Sequence, residues 1–512
     1  MIAYYDARPT AEPNARPGRS STAGTANVDL AGSGKLAARV ATKIEQDIVR
    51  RGWPVGQMLG SETELRERYQ VSRAVLREAI RLVEHHQVAA MRRGPAGGLV
   101  VKAPDAGAAT GAMMVYLEFV GTTLEHLLAA RMILEPLSVV LAAEQVTEAG
   151  ISRLREVLEV ESDPVARRDG QVRERLHLVI AELSGNPTLR LFVDVLLRLT
   201  WQYTQGAMHQ LPDVSHPAVT EADDAHQAIV AAVIAGESAR AEFRTVQHLE
   251  AGTEFLRYWR PAASDAAGSI WSMPTRGAGQ DRKLAEVVAQ RILNEITSSG
   301  WEVGAVIGSE AALLAKFEVS RAVLREAVRL LEYHSVARMR RGPGGGLVVA
   351  KPDPSASIEA MSLYLGFQGI KTEDLRVVRE AVELACMDRV AARADRPEVA
   401  RRLRTVLHAD EPINPFGGGQ ERTPAPAHQL HLELAELSGN PVLGLFLRII
   451  ITLWSRQGEA HSGRPTPDAS SGEERATTEA HQGIVDALLA GDGGLARHRM
   501  RRHLELVTEW WQ

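Results

Sequence analysis

A single cysteine, Cys386, stands among the 512 residues. It has no partner for an intramolecular disulfide, and a cysteine-rich zinc site is excluded. Aromatic residues are scarce, at 5%. The cores must then be built from Leu, Val, Ile and Ala, a composition that leans helical. No uncharged run approaches the roughly 18 residues of a membrane span. The opening stretch, MIAYYDARPTAEPNARPGRSSTAG, has no apolar core and is not expected to act as a secretory signal. A positive surplus is missing too, since the net charge is −5. That excludes a uniformly basic chain but not a local basic patch. A soluble protein of a reducing compartment, with no membrane partner, is expected.

What the chain does have is itself, twice. VSRAVLREAIRLVE begins at Val71 and VSRAVLREAVRLLE at Val319, an offset of 248 with 12 of 14 positions identical. MRRGPAGGLVV at Met91 returns as MRRGPGGGLVV at Met339 with the same offset. Trp53 pairs with Trp301 and Arg131 with Arg379. Such a period is too long for a solenoid repeat and marks a tandem duplication, each copy holding two domains. The expected organisation is a disordered arm over 1–34, a small α/β head over 35–103, and an all-α bundle over 110–258. A linker over 259–282 leads to a second head over 283–352 and a second bundle over 357–512.

Each head reads as two helices, a tight turn, a third helix and a glycine-turned hairpin. Val40, Ile44 and Ile48 fall on one face of helix 1, expected from Leu36 to Arg51. Ser61 and Glu64 make a capping box for a short second helix; the second copy has Ser309 but Ala312 there. Ser72 and Ser320 are the expected N-caps of helix 3, with Val75, Ala79, Leu82 and Val83 facing inward. VAAMRR, GPAGG and LVVKA then form a wing. The fold is a winged helix-turn-helix.

Charge gives these heads a role. From Arg66 to Lys102 eight basic residues face three acidic ones, and the same count holds from Lys316 to Lys351. Arg73, Arg77 and Arg81 recur every four residues, as do Arg321, Arg325 and Arg329, so each set forms one ridge on helix 3. Such a ridge suits the major groove, where arginine gives bidentate bonds to guanine or holds phosphates. Arg92, Arg93, Arg340 and Arg341 on the wings can reach the backbone or the minor groove. The competing reading is a solvated face, with Glu78 pairing Arg77 or Arg81. The coincidence of ridge, turn and wing in both copies favours double-stranded DNA as the partner.

The pattern P-x-G…S-E…L…VSR-x-x-L-REA…L-E…G…G-x-x-V resembles the winged-helix head of the GntR superfamily of bacterial transcription regulators. The resemblance implies that Ser72, Arg73 and Arg77, with Ser320, Arg321 and Arg325, are the recognition-helix contacts. A basic residue early in helix 2 is frequent in that family; Thr63 and Ala311 stand there instead, so that contact is not carried over.

Residues 111–258 and 358–511 show helical periodicity only. SGNP in both copies marks a helix stop followed by a restart. Three histidines stand at matched places: His177, His226 and His248, and His431, His481 and His503. Imidazoles converging from three helices can hold Zn²⁺ or another first-row divalent ion. The arrangement resembles the FCD effector domain of the FadR branch of the superfamily, which implies a metal beneath a small carboxylate effector. This chain departs from that pattern, with Arg173 and Ala427 four residues before the first histidine, where the family places aspartate. Glu174 and His428 are the candidate fourth ligands. A metal-free pocket for an anion is the alternative. Arg131 and Arg379 either hold the effector carboxylate or simply pair with Glu135 and Glu383 one turn on. Cys386 is expected to be an inert core residue.

The expectation is a cytoplasmic, nucleoid-associated, ligand-responsive repressor and not an enzyme. One chain would act as a pseudo-dimer, with room for a further homodimer. Two alternatives are a metal-dependent hydrolase using the histidines and an architectural DNA binder with vestigial bundles. No carboxylate placed as a general base in both copies is evident from the sequence.

Overall fold

The computed structural model describes residues 26–92, 94, 97–104, 106–163, 166, 171–208, 217–258, 284–340, 342, 344–352, 354–407, 428–462 and 471–509. Residues 1–103 form one compact unit and residues 104–512 another.

The first unit is the first head. Its elements are α1 (Ala26–Arg50), β1 (Met58–Gly60), α2 (Glu62–Tyr69), α3 (Arg73–His85), β2 (Ala89–Arg92) and β3 (Gly98–Val101). α1 starts ten residues before the expected Leu36, so 26–34 are helical where a disordered arm was expected; residues 1–25 of that arm lie outside the described residues. Val40, Ile44 and Ile48 are buried as the periodicity requires, and α1 packs against α3, whose Leu76, Ile80 and Val83 are buried too. Leu82 departs from expectation and is half-buried, because Leu76 and Ile80 fill the face instead. The Ser61–Glu64 capping box forms, and Ser72 caps α3 by accepting from the Val75 amide. The turn between α2 and α3 is made at Gln70, which is left-handed at φ 53°. The sheet order is β1-β3-β2, all antiparallel, with Ala89 opposite Val101 and Arg92 opposite Gly98. β1 closes on β3 so tightly that a Cβ at Gly98 would lie 2.6 Å from the Gly60 carbonyl oxygen. Only glycine permits that approach.

The second unit begins with the first bundle: α4 (Ala106–Phe119), α5 (Leu124–Gln145), α6 (Glu148–Ser162), α7 (Gln171–Leu183), α8 (Pro187–Met208), α9 (Pro217–Ile234) and α10 (Ser238–Tyr258). The expected linker falls on residues outside those described. The second head follows with α11 (Leu284–Ser298), β4 (Val306–Gly308), α12 (Glu310–Phe317), α13 (Arg321–Tyr333), β5 (Ala337–Arg340) and β6 (Gly346–Val349). It repeats the first head: sheet order β4-β6-β5, Ser309 and Ser320 as N-caps, and left-handed Glu318 in the turn. The second bundle is α14 (Pro354–Phe367), α15 (Thr372–Ala391), α16 (Pro397–Leu407), α17 (Gln429–Leu437), α18 (Pro441–Ser462), α19 (Ser471–Leu489) and α20 (Gly493–Glu509). Among the described residues neither bundle contains a strand.

Among the described residues one helix, α5, is long and apolar enough to cross a membrane. Most of it is buried inside the bundle, and it carries the buried pair Arg131 and Glu135. That is how a core helix reads. Cys386 is also fully buried, and burial pushes its thiol up to about 12.

The two bundles share one hydrophobic core. At its centre the Phe192 and Phe446 rings stack 3.9 Å apart, nearly parallel. The SGNP segments lock the contact from both sides. Asn186 caps α8 through its Oδ1, which accepts from the Thr188 and Leu189 amides, while its Nδ2 donates to the Asp374 carbonyl in the other bundle at 2.9 Å. Asn440 caps α18 in the same way and donates to the His126 carbonyl at 3.0 Å. The contact is self-complementary, as a two-fold interface is. Trp301 of the second head meets Phe119 of α4 edge-on at 5.6 Å.

Candidate functional site

On each head the recognition helix starts at a serine cap and presents its arginines outward. Arg73, Arg77, Arg81, Arg321, Arg325 and Arg329 are all exposed. In the first head Arg73 and Arg77 both donate to Glu62 Oε1, at 2.8 and 2.9 Å. These two hydrogen bonds hold the Glu62 carboxyl below its ordinary range. Arg81 pairs with Glu78. The second head is looser: Arg321 lies 3.9 Å from Glu310, and Arg329 pairs with Glu326 at 3.3 Å. Sequence reasoning considered Glu78 but missed Glu62, whose partners are 11 and 15 residues away. Exposed pairs of this kind contribute at most about 1 kcal/mol, so phosphate can displace them. Ser72 and Ser320 are exposed caps whose hydroxyls accept from backbone and remain able to donate. Arg92 is exposed on β2, and Arg340 donates to the Gly344 carbonyl across the wing turn. Arg93 and Arg341 lie outside the described residues.

In the bundles the matched histidines meet. Ligand nitrogens of His177, His226 and His248 lie within 4.8 Å of one another, and so do those of His431, His481 and His503. They come from α7, α9 and α10 in one bundle and α17, α19 and α20 in the other. The His226 and His248 Nε2 atoms are 3.2 Å apart; His503 Nε2 is 3.2 Å from both His431 and His481 Nε2. Two zinc-bound imidazole nitrogens at tetrahedral angles sit roughly 3.3 Å apart, so the spacing fits one shared ion.

The outer nitrogens support the same reading. His177 Nδ1 faces Glu135 at 2.7 Å, His226 Nδ1 faces Glu161 at 2.9 Å, and His431 Nδ1 bonds Glu383. A carboxylate on Nδ1 holds the proton there and leaves Nε2 with a free lone pair towards the centre. The residues present therefore fit a divalent cation. Glu174 and His428 do not join either group of three. Glu174 instead turns to Arg131 Nη2 at 3.4 Å, and His428 Nδ1 is buried with no hydrogen-bond partner among the described residues. Arg173, at the place of the family's aspartate, lies 3.5 Å from Asp223, which balances its charge.

Arg131 and Arg379 make the local pairs that sequence allowed: Arg131 with Glu135, and Arg379 Nε with Glu383 Oε1 at 2.6 Å. The same glutamates also reach the first histidine of each triad. A buried carboxylate beside the histidines thus exists in both copies, contrary to expectation, but an arginine engages each one. Sequence could have hinted at it, since Glu135 and Glu383 recur at the 248 offset. Glu161 gave no such signal, because it falls where the offset between the copies drifts from 248 to 254 and the repeat fixes no counterpart for it.

Burial opposes charge at Glu135, but Arg131 and His177 outweigh it and hold it down to about 2. Burial also opposes charge on His177, yet Glu135 wins and its pKa is raised. In the second bundle burial and neighbouring cations push His428 and His481 down to about 3 and His503 to about 2. These imidazoles are neutral near pH 7, as His481 and His503 must be to serve as metal ligands. A pH dependence follows. The unfolded chain takes up these protons near 6.5, the folded chain only near 2–3, so unfolding is favoured progressively as pH falls below 6.5. His177 works in the opposite direction but is outnumbered. Chelator-treated protein should show a melting temperature that falls steadily from about pH 6.5 to about pH 4, with a flatter slope in His481→Asn. A flat profile in the parent would contradict the burial of these rings.

A basic, exposed recognition helix with a wing, paired with a helical bundle bearing a histidine centre, defines a DNA-binding regulator with an effector domain. Comparison with known families agrees. The family of bacterial regulatory proteins named gntR matches residues 36–97 and 284–347, and the FCD domain matches residues 126–251 and 374–506. The chain belongs to the gntR family of transcription regulators and carries its head and its FCD domain twice. It is similar to the Uxu operon regulator of Haemophilus influenzae, 28% identical over 225 residues, which are 41% of this chain and 78% of that protein. It is also similar to the putative L-lactate dehydrogenase operon regulatory protein of Escherichia coli K12, 27% identical over 229 residues, 44% of this chain and 85% of that protein. Each relative is matched over most of its length by less than half of this chain, as a duplicated unit requires. A solved Streptococcus agalactiae GntR aligns at 19% identity and TM-score 0.33, covering 43% of this chain and 99% of that one.

Proposed function

We propose that this chain is a ligand-responsive repressor of the bacterial cytoplasm, acting on one operator as a single-chain pseudo-dimer and not as an enzyme. The observation that carries the proposal is the self-complementary contact between the bundles, with Asn186 and Asn440 donating across it and Phe192 stacked on Phe446. The place a second chain would take in a homodimer is filled from within. Two heads tethered in one chain raise each other's effective concentration to about the mM range. Ser72, Arg73, Arg77, Arg81, Arg92 and Arg93, with Ser320, Arg321, Arg325, Arg329, Arg340 and Arg341, would contact the duplex.

His177, His226 and His248, and His431, His481 and His503, would each hold a first-row divalent ion such as Zn²⁺. The ion would supply a positive centre for a small carboxylate effector, with Arg131 or Arg379 beside it. An effector acts only through different affinities for the binding and non-binding arrangements. A hydrolase is disfavoured because Glu135 and Glu383 are already engaged by arginines.

Genomic footprinting followed by native mass spectrometry of the protein on a recovered fragment tests the reading. One chain per duplex, on a site with two related half-sites, is expected. Two chains per duplex, or no preferred site, would refute it.

A further inference from the structure

We propose that the two bundles have divided their roles: only the second accepts an anion on its buried arginine, and the first carries its own substitute in Glu174. This rests on the carboxylate-effector reading of the two arginines given above.

Arg131 and Arg379 occupy the same place in their copies, both buried, both giving Nε to a glutamate four residues on. Beyond that they differ. Arg131 Nη2 points to Glu174 Oε2 at 3.4 Å. The residue matching Glu174 in the second copy is His428, which has no negative charge to offer. Arg379 Nη2 has no hydrogen-bond partner among the described residues, although the side chain is only 3% exposed. His428 Nδ1 is likewise buried and without a partner among the described residues, and its ring stands 6.4 Å from that of His431. A buried guanidinium N–H with no acceptor is an unmet demand for one. In the first copy a side chain from α7 meets it. In the second, an incoming carboxylate can.

The surroundings favour the same division. Around the first triad, Glu135, Glu161, Glu174 and Asp223 face two arginines, Arg131 and Arg173. An anion arriving there meets carboxylates already seated. In the second copy His428 stands at the place of Glu174 and Thr478 at the place of Asp223, so two of these four carboxylates have no acidic counterpart. Thr200 of the first copy is replaced by Trp454 in the second, and the Arg379 guanidinium lies 5.2 Å from the Trp454 ring centroid. That cation–π contact helps hold the guanidinium beside the ring. The effector is therefore expected at one per chain, although the chain has two effector domains.

Exchanging the two residues tests this. Zinc-loaded full-length protein would be dialysed to equilibrium against radiolabelled acetate, the smallest organic carboxylate that can probe the arginine without demanding a pocket shape. The parent should bind one acetate per chain. His428→Glu should bind none, and Glu174→His should bind two. Circular dichroism checks folding; Glu174 is partly exposed, so Glu174→His remains informative if the buried His428→Glu fails to fold. Two acetates or none in the parent, or one acetate in Glu174→His, would overturn the division. Footprints on DNA that persist while acetate binding fails would sink this proposal alone and leave the regulator reading standing.

Discussion

Truncating Phe192 and Phe446 together to alanine should part the two bundles. Both rings are fully buried, and they stack at 3.9 Å in the middle of a core to which both bundles contribute. Removing one buried phenylalanine costs about 3–5 kcal/mol, from lost transfer free energy and the cavity left behind. The rings touch, so the two losses are coupled and will not simply add. The flanking bonds from Asn186 and Asn440 cannot compensate, since a hydrogen bond contributes only about 1 kcal/mol net. Denaturation in urea should therefore begin at lower concentration and split into two steps, while helix content at zero denaturant stays close to that of the parent. A single transition at an unchanged midpoint would show that the stack is not what unites the bundles.

The second large effect is on DNA. Arg73→Ala with Arg321→Ala should weaken specific operator binding by about 2–6 kcal/mol, a loss of roughly 30-fold to 20,000-fold. Both side chains are mostly exposed, 64% and 82%, and their partners Glu62 and Glu310 lie at 2.8 and 3.9 Å on the surface. Stability should thus change by no more than about 1 kcal/mol. A gel shift of the folded double variant measures this directly, and the salt dependence of binding should also become shallower. Parent-like affinity in a variant with a parent-like melt would remove these arginines from the interface.

Much of this architecture could be read from local pattern. The serine caps, the Ser61–Glu64 box and the glycine-turned wing all depend on neighbours in sequence and appear as expected, and the 248-residue offset shows when the chain is compared with itself. The misses have different causes. β1 is three residues long and has no alternation to detect; it forms because Gly98 lets it close on β3. The turn before α3 uses left-handed Gln70 and Glu318, residues that do not advertise that conformation. α1 extends back to Ala26 through a Gly- and Ser-containing stretch with no apolar period.

At the histidine centres the pairing of Arg131 with Glu135 was legible because four residues make one helical turn. Its extension to His177, on another helix, was not. Glu174 was expected on a metal because i−3 shares a face with His177. The structure gives it to Arg131, since a buried guanidinium draws the nearest free carboxylate. In SGNP only the stop and restart were visible. The amide of Asn186 reaching a carbonyl 188 residues away depends wholly on the packed pair of bundles.

That crossing has a consequence for how such a molecule can change. In an assembly of identical subunits any substitution arrives simultaneously on both sides of the symmetry axis. Asn186 and Asn440 are encoded by different codons, so either arm can be altered while its mate stays as it was. Fusion thus frees each half to acquire its own sensitivity, an asymmetry that no pair of identical polypeptides can inherit.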